Sequence, residues 1–169
     1  SEPRVTVVHG SFASIKAHLL DADIRQVDGI FLDLGVSSDQ LDTAERGFSF
    51  MRSGPLDMRM DNSQGQSAAE WLRIADESEI ARVLKDYGEE RYAKRIARAL
   101  VATRDVEPLE TTQALANLIE RVSPSRDHHK HPATRAFQAI RIQVNRELED
   151  LERCLTEVPE LLKISGRLV

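Results

Sequence analysis

The chain has one cysteine, Cys154, in 169 residues. That excludes an intrachain disulfide and a cysteine-cluster zinc site. No apolar run approaches the roughly eighteen residues a membrane span needs, so no membrane partner is expected. The opening stretch "SEPRVTVVHG" has neither a basic segment nor a long apolar one, so no secretory leader is read there. A reducing, cytoplasmic setting is the expectation. A phosphate-binding glycine loop is missing, as is a carboxylate pair spaced for a metal, which sets phosphoryl transfer aside. Positive charge is not in excess either. The formal net charge of −5 weighs weakly against indiscriminate nucleic-acid binding, but it averages over the whole surface.

What is present describes a folded globular chain: 41% apolar and 30% charged residues, in a length that suits a core plus a subdomain. Residues 5–8 ("VTVV") predict a short buried strand, and Phe12, Ile15 and Leu19 recur at helical spacing after it. "GIFLDLG" predicts a second strand, whose continuous Ile30, Phe31 and Leu32 suit a strand covered on both faces. Strand, short helix, strand points to an α/β sheet. Residues 41–65 then lose all period and predict a long ordered loop, of a length that is uncommon unless functional.

A helical block follows. Ser67 and Glu70 have capping-box spacing. Apolar faces are carried by Ile80, Val83, Leu84 and Tyr87, then by Tyr92, Ile96 and Leu100, then by Leu115, Leu118, Ile119 and Val122. The spacing of Phe137, Ile140, Val144, Leu148, Leu151 and Leu155 predicts one long final helix, with Pro159 at its end or at a break. "SGRLV" predicts a turn entering another strand. Parts of an α/β core, residues 1–45 and 135–169, therefore flank an inserted loop and helical domain, residues 46–134.

Four features carry candidate chemistry. Asp33, at the end of the second strand, is either a turn or helix cap or a carboxylate facing a ligand crevice. Gly35 beside it would allow close backbone approach. The loop "GFSFMRSGPLDMRMD" is either an apolar plug or a lid, with Phe48 and Phe50 to stack on bases and Arg52 and Arg59 to hold phosphates. Arg91, Lys94, Arg95 and Arg98 share a helix face, either merely solvated or forming a phosphate track. The "HHKH" group, His128, His129 and His131 with Lys130, sits in a basic stretch that also holds Arg135. It suits phosphate better than a metal, and no metal site is expected. Compensating acids gather at Glu147, Glu149, Asp150, Glu152, Glu157 and Glu160.

The strings "FLDLGVSSDQLDTAERGFSFMRSGPLDMRMD", "YGEERYAKRIARAL" and "HPATRAFQAIRIQVNREL", in that order, closely resemble the bacterial 16S ribosomal RNA cytosine-N4 methyltransferases, the RsmH/MraW family. The resemblance covers nearly the whole chain. It implies a partial Rossmann-like, S-adenosyl-L-methionine-dependent methyltransferase core with an all-helical inserted domain for RNA recognition. It implies methylation of the exocyclic amine of a cytidine in 16S ribosomal RNA, with the small ribosomal subunit as partner. Carried over by position, Phe12, Asp33 and Gln40 fall at the cofactor site, and Asp33 is the catalytic candidate. Phe48 and Phe50 are candidates to hold a base drawn out of its stack.

The family's glycine-rich donor loop and ribose-gripping acid have no counterpart here, and the "DLGVSS" string replaces a Pro-Pro-aromatic motif of other amino-methyltransferases. In a Rossmann-like sheet the two strands read here would be the third and fourth, separated by about 14 Å, three strand spacings of ~4.8 Å. The expectation is a fragment that cannot build that sheet alone, or one completed by a second copy through dimerisation or chain exchange. The alternative for the isolated chain is a non-catalytic RNA-binding helical module.

Overall fold

The structure, a computed structural model, describes residues 4–123 and 131–169. In chain order its elements are α1 (Ile15–Asp21), β1 (Val27–Ile30), α2 (Ser38–Asp42), α3 (Ala68–Ile74), α4 (Glu77–Asp86), α5 (Ala93–Arg104), α6 (Thr112–Val122), α7 (Ala133–Asn145), α8 (Glu147–Leu161) and β2 (Leu162–Leu168). The class is mixed α/β, mostly helical, with a two-stranded parallel sheet. The chain divides into two compact units, Ser1–Gly35 with Arg146–Val169, and Val36–Asn145. The divisions thus fall at 35/36 and 145/146, where the sequence pattern placed them near 45 and 135. Phe137 and Ile140 explain the second shift, because α7 buries both in the core of the helical unit.

In the first unit Ile30, Cys154, Val158 and Leu161 are buried together, with Phe12, Ile15 and Leu19 packed against them as their spacing predicts. β1 and β2 run parallel, with Val27 opposite Leu162 and Ile30 opposite Leu168. Two residues along β1 answer five along β2, so the strand bulges around Ser165 (φ 68°) and Gly166. The expected turn at "SG" is therefore a kink inside β2.

Three expectations are corrected here. Residues 5–8 form no strand, and Val7 is 89% exposed. An apolar β-branched run becomes a strand only beside a ladder partner, and none of the described backbone pairs with this one. β1 stops at Ile30, and Phe31 is exposed. Among the described residues, α1 and α8 pack on one side and Ile164 is fully solvated, so only one sheet face is covered. The single long final helix is two helices. Arg146 takes a left-handed backbone (φ 52°) between α7 and α8, while Pro159 lies inside the last turn of α8 instead of ending it.

The helical unit follows its sequence closely. Ser67 caps α3 with Glu70 in a reciprocal capping box. Ile80, Val83, Leu84, Ile96, Leu100, Leu115, Leu118 and Ile119 are buried on the predicted faces. The loop at 43–65 is ordered without long regular structure, and its backbone polar groups find partners outside helices and sheets, as buried ones must. Leu56 N–H donates to the Glu110 carbonyl (2.8 Å), and Thr112 N–H donates to the Gly54 carbonyl (3.0 Å). Gly54 N–H returns a bond to the Thr112 hydroxyl at 3.2 Å. Arg46 donates to the Arg59 and Met60 carbonyls at 3.0 and 2.8 Å. Phe48, Leu56 and Met58 are buried, so the plug reading holds for these three.

Two tests follow from the loop. A Cβ at Gly54 would lie 1.9 Å from the Ala44 carbonyl oxygen, which is backbone and cannot swing away. Gly54→Ala should destabilise at the upper end of the roughly 1–3 kcal/mol seen for overpacking, read by thermal or urea unfolding. Asp57 is the second site. Hydrogen bonds from Arg59 hold its carboxyl below the ordinary range, against the opposing effect of burial. A carboxyl depressed in the folded state stabilises above its unfolded pKa, near 4, and that contribution is lost as pH falls through the depressed value. Unfolding curves should therefore show stability falling below about pH 4, and Asp57→Asn should flatten that acid limb.

Candidate active site

The end of β1 sets the first candidate group. Backbone pairing continues to Leu32, whose N–H donates to the Val169 carbonyl at 2.8 Å. Asp33 comes next and is exposed. Its carboxylate has no hydrogen-bond or ion-pair partner among the described residues. The cap role it was weighed for belongs to Ser37. The Ser37 hydroxyl accepts from Gln40 N–H (3.3 Å), and Gln40 Oε1 accepts from Ser37 N–H (2.9 Å), a full capping box at the start of α2. Gly35 has φ +115° and open space where a side chain would be. The local fold thus places a carboxylate just past the carboxyl end of a parallel strand and leaves it unengaged.

The other two residues carried over by position sit differently. Phe12, in a 3-10 turn at Phe12–Ser14, is half-buried against the first unit's core. Gln40 belongs to the second unit, where its amide oxygen serves the capping box. Cys154 is fully buried, and burial, with Glu157 nearby, pushes its thiol up, which disfavours the nucleophilic thiolate.

A second locus is a cleft of about 260 Å³ in the helical unit, lined by Phe48, Phe50 and Phe137 and by Thr134, Gln138 and Arg141. Phe50 meets Phe137 edge-on with ring centroids 4.8 Å apart, and meets the His131 ring at 4.5 Å. The Arg46 guanidinium lies 5.7 Å from the Phe48 ring centre. Phe50 is therefore less a plug than a wall. His131 Nδ1 accepts from Ala133 N–H (3.1 Å), which ties this histidine to the start of α7.

The arginines separate by what holds them. Arg59 is engaged inside the loop: Nε and Nη2 donate to Asp57 at 2.7 and 2.8 Å, and Nη1 reaches the Gln64 and Gly65 carbonyls. It is a fastener of the loop, with few donors left for phosphate. Arg52 is exposed and makes one long bond to the Asp42 carbonyl, at 3.4 Å. Arg91, Lys94, Arg95 and Arg98 are all exposed, and Lys85 of α4 joins Arg91, Lys94 and Arg95 along one groove. Arg98 pairs with Glu77 at 3.7 Å, and Arg91 lies over the Tyr92 ring at 5.7 Å. Arg135 is exposed and donates to the Glu89 carbonyl. Lys130, with His128 and His129, lies outside the described residues.

Sequence reasoning missed Asn145 as the residue that fastens the loop, and missed Thr134, Gln138 and Arg141 as a lining. The signals were there. Asn is a frequent helix terminator, and 134, 138 and 141 share one face of α7 beside its apolar stripe.

The class of protein is that of the methylases. The profile of the MraW methylase family matches residues 1–169, and the chain belongs to that family. Its members are methyltransferases that use S-adenosyl-L-methionine. The exposed carboxylate of Asp33 fits such a donor chemically, because a carboxylate complements a sulfonium and accepts from hydroxyl and ammonium groups.

Asp33 and Ser37 should respond differently to truncation. Asp33→Ala should change unfolding free energy by no more than about 0.5 kcal/mol. Ser37→Ala should cost about 1 kcal/mol through the lost cap. A large loss from Asp33→Ala in the same denaturant titrations would make that residue structural.

Proposed function

We propose that the protein methylates the N4 amine of a cytidine in the 16S ribosomal RNA of the small subunit, from a Rossmann-like donor site. The observation that carries this is the unpartnered carboxylate of Asp33 beyond the carboxyl end of a parallel strand, the position where open α/β sheets take ligands. Family membership and the resemblance of the "DLGVSS" segment support it. Bound S-adenosyl-L-methionine would supply a methyl group activated by its sulfonium.

The acceptor is a weak nucleophile, since the N4 lone pair is delocalised into the cytosine ring. Asp33 accepts a hydrogen bond from an N4–H, which raises electron density on nitrogen and orients it for in-line attack. The proton on N4 passes to the carboxylate only after nitrogen has become cationic, so Asp33 need not be a strong base. The exposed Arg91 and Arg95, with Lys94 between them, supply contacts to the RNA backbone that position without reading sequence. Arg135 and Arg52 extend that role.

A second reading, a helical RNA-binding module without chemistry, is favoured by one observation: the Val36–Asn145 unit carries its own core together with the basic groove. The two readings part in one assay. The protein is incubated with S-adenosyl-L-methionine and small-subunit RNA, and the RNA is digested to nucleosides for mass spectrometry. N4-methylcytidine should form, and Asp33→Asn should lower its rate by about 10²–10³-fold, the range for removing one preorganised polar group. RNA binding without methylated product supports the module, and methyl transfer indifferent to Asp33→Asn overturns the role given to this residue.

A further inference from the structure

We infer that the corner where α4 meets α5 docks on double-helical RNA, through phosphates alone and without reading bases. The inference rests on the RNA-methyltransferase reading and deepens it, because that reading names no structural form for the RNA.

The corner is a groove of about 630 Å³. Lys85 lines it from α4, and Arg91, Lys94 and Arg95 line it from the start of α5 and the turn before it. All four are exposed, and none has an ion-pair partner among the described residues. Arg135 of α7 joins them, since its Nη1 donates to the carbonyl of Glu89, in the same groove, at 3.3 Å. Two acids line the groove as well. Glu90 is buried, and its carboxylate is committed to the backbone, where it accepts from Tyr92 N–H at 2.9 Å. Glu89 alone is exposed beside the cations, so the open surface is positive.

The lining argues against a single strand. Proteins that hold single strands pair a basic groove with aromatic faces on which bases stack. The aromatic residue of this groove is Tyr92, which is half-buried. The Arg91 guanidinium lies over its ring at 5.7 Å, so an arginine already occupies the face a base would need. Arg82 lies over the Tyr87 ring at the end of α4 in the same way, at 5.9 Å. Among the described residues, no Asn, Gln, Ser or Thr lines the groove to read a base edge. The deep major groove of an A-form helix keeps its base edges from Arg and Lys too, so these cations meet phosphate.

Rigidity and charge density then favour the duplex. Val83, Leu84, Ile96 and Ala97 are fully buried, so the backbone that carries the cations is fixed. A duplex offers an equally fixed array of phosphates, and two preorganised surfaces lose less conformational freedom on meeting than one surface and a flexible strand. A duplex also condenses more counterions, so each neutralised phosphate releases more of them: about 0.9 per contact, against about 0.7 for a single strand.

The test titrates the full chain into a labelled RNA duplex of about sixteen base pairs, and into one of its strands alone, by fluorescence anisotropy over a range of salt. Contacts from Lys85, Arg91, Lys94 and Arg95 should give the duplex a log–log salt slope of about −3.6, against about −2.8 for the strand. In roughly 50 mM salt that difference makes the duplex bind about tenfold more tightly. Scrambling the duplex sequence should change its affinity by less than about twofold, since phosphate contacts carry no sequence. Arg91→Gln and Lys94→Gln, both exposed changes, should each reduce the duplex slope by about 1. Arg121→Gln, exposed on α6 and outside the groove, should leave it unchanged. A single strand that binds as tightly as the duplex overturns the inference, as does a duplex slope that neither Arg91→Gln nor Lys94→Gln moves. A duplex preference without N4-methylcytidine formation keeps the docking face and sinks the methyl-transfer reading; methylation without any such preference does the reverse.

Discussion

One amide side chain holds the least regular part of this protein in place. Asn145 Nδ2 donates to the Met58 carbonyl (2.7 Å) and to the Arg141 carbonyl, while its Oδ1 accepts from Met60 N–H (2.7 Å). Met58 needs that support, because it is buried with a left-handed backbone (φ 61°), a conformation a side-chain-bearing residue adopts only when its surroundings over-determine it. Arg46 and Thr112 fasten the flanks of the same loop, and Arg59 is clamped within it by Asp57. A segment of such length without helix or strand would ordinarily be mobile. Here it is a wall, and the aromatic cleft depends on it.

Charge is divided in a way the net value conceals. Acids of α8 are drawn into the first unit's own bonds: Asp150 accepts from Ser11, Glu160 pairs with Lys16 at 2.7 Å, and Glu149 pairs with Arg146. The basic residues at the start of α5 have weaker ties and stay exposed. Two kinds of arginine therefore coexist in the helical unit. Arg59 is built into the fold, while Arg91 and Arg95 face solvent, where a polyanion can reach them. Exposed pairs such as Arg98–Glu77 contribute little to stability, so these cations are available to a partner at small cost.

The helical unit was largely legible in the sequence. Its apolar residues recur at three and four, its caps have the right residues at the right spacing, and local periodicity specifies helices without help from distant chain. The sheet was less legible. Residues 5–8 and Phe31 look like strand, but strand formation is decided by partners the local pattern cannot name. The joined α7 and α8 share this cause: the apolar spacing runs through Arg146, and only the bonds of Asn145 to a loop some 85 residues away show why the helix ends there. At the site, Asp33 was legible as a carboxylate but not as a free one. That required seeing Ser37 take the cap. The cleft was legible only by half, because Phe48 and Phe50 stand out in sequence whereas Gln138 and Arg141 need α7 beside them.

Under the proposed function, the carboxylate that the fold leaves unengaged at Asp33 is available to a bound methyl donor. Calorimetric titration of S-adenosyl-L-methionine into the unaltered protein and into Asp33→Ala tests this most directly. Micromolar binding is expected, weakened by at least about tenfold in the variant, as suits a charge-assisted contact. The same affinity in both proteins would contradict it.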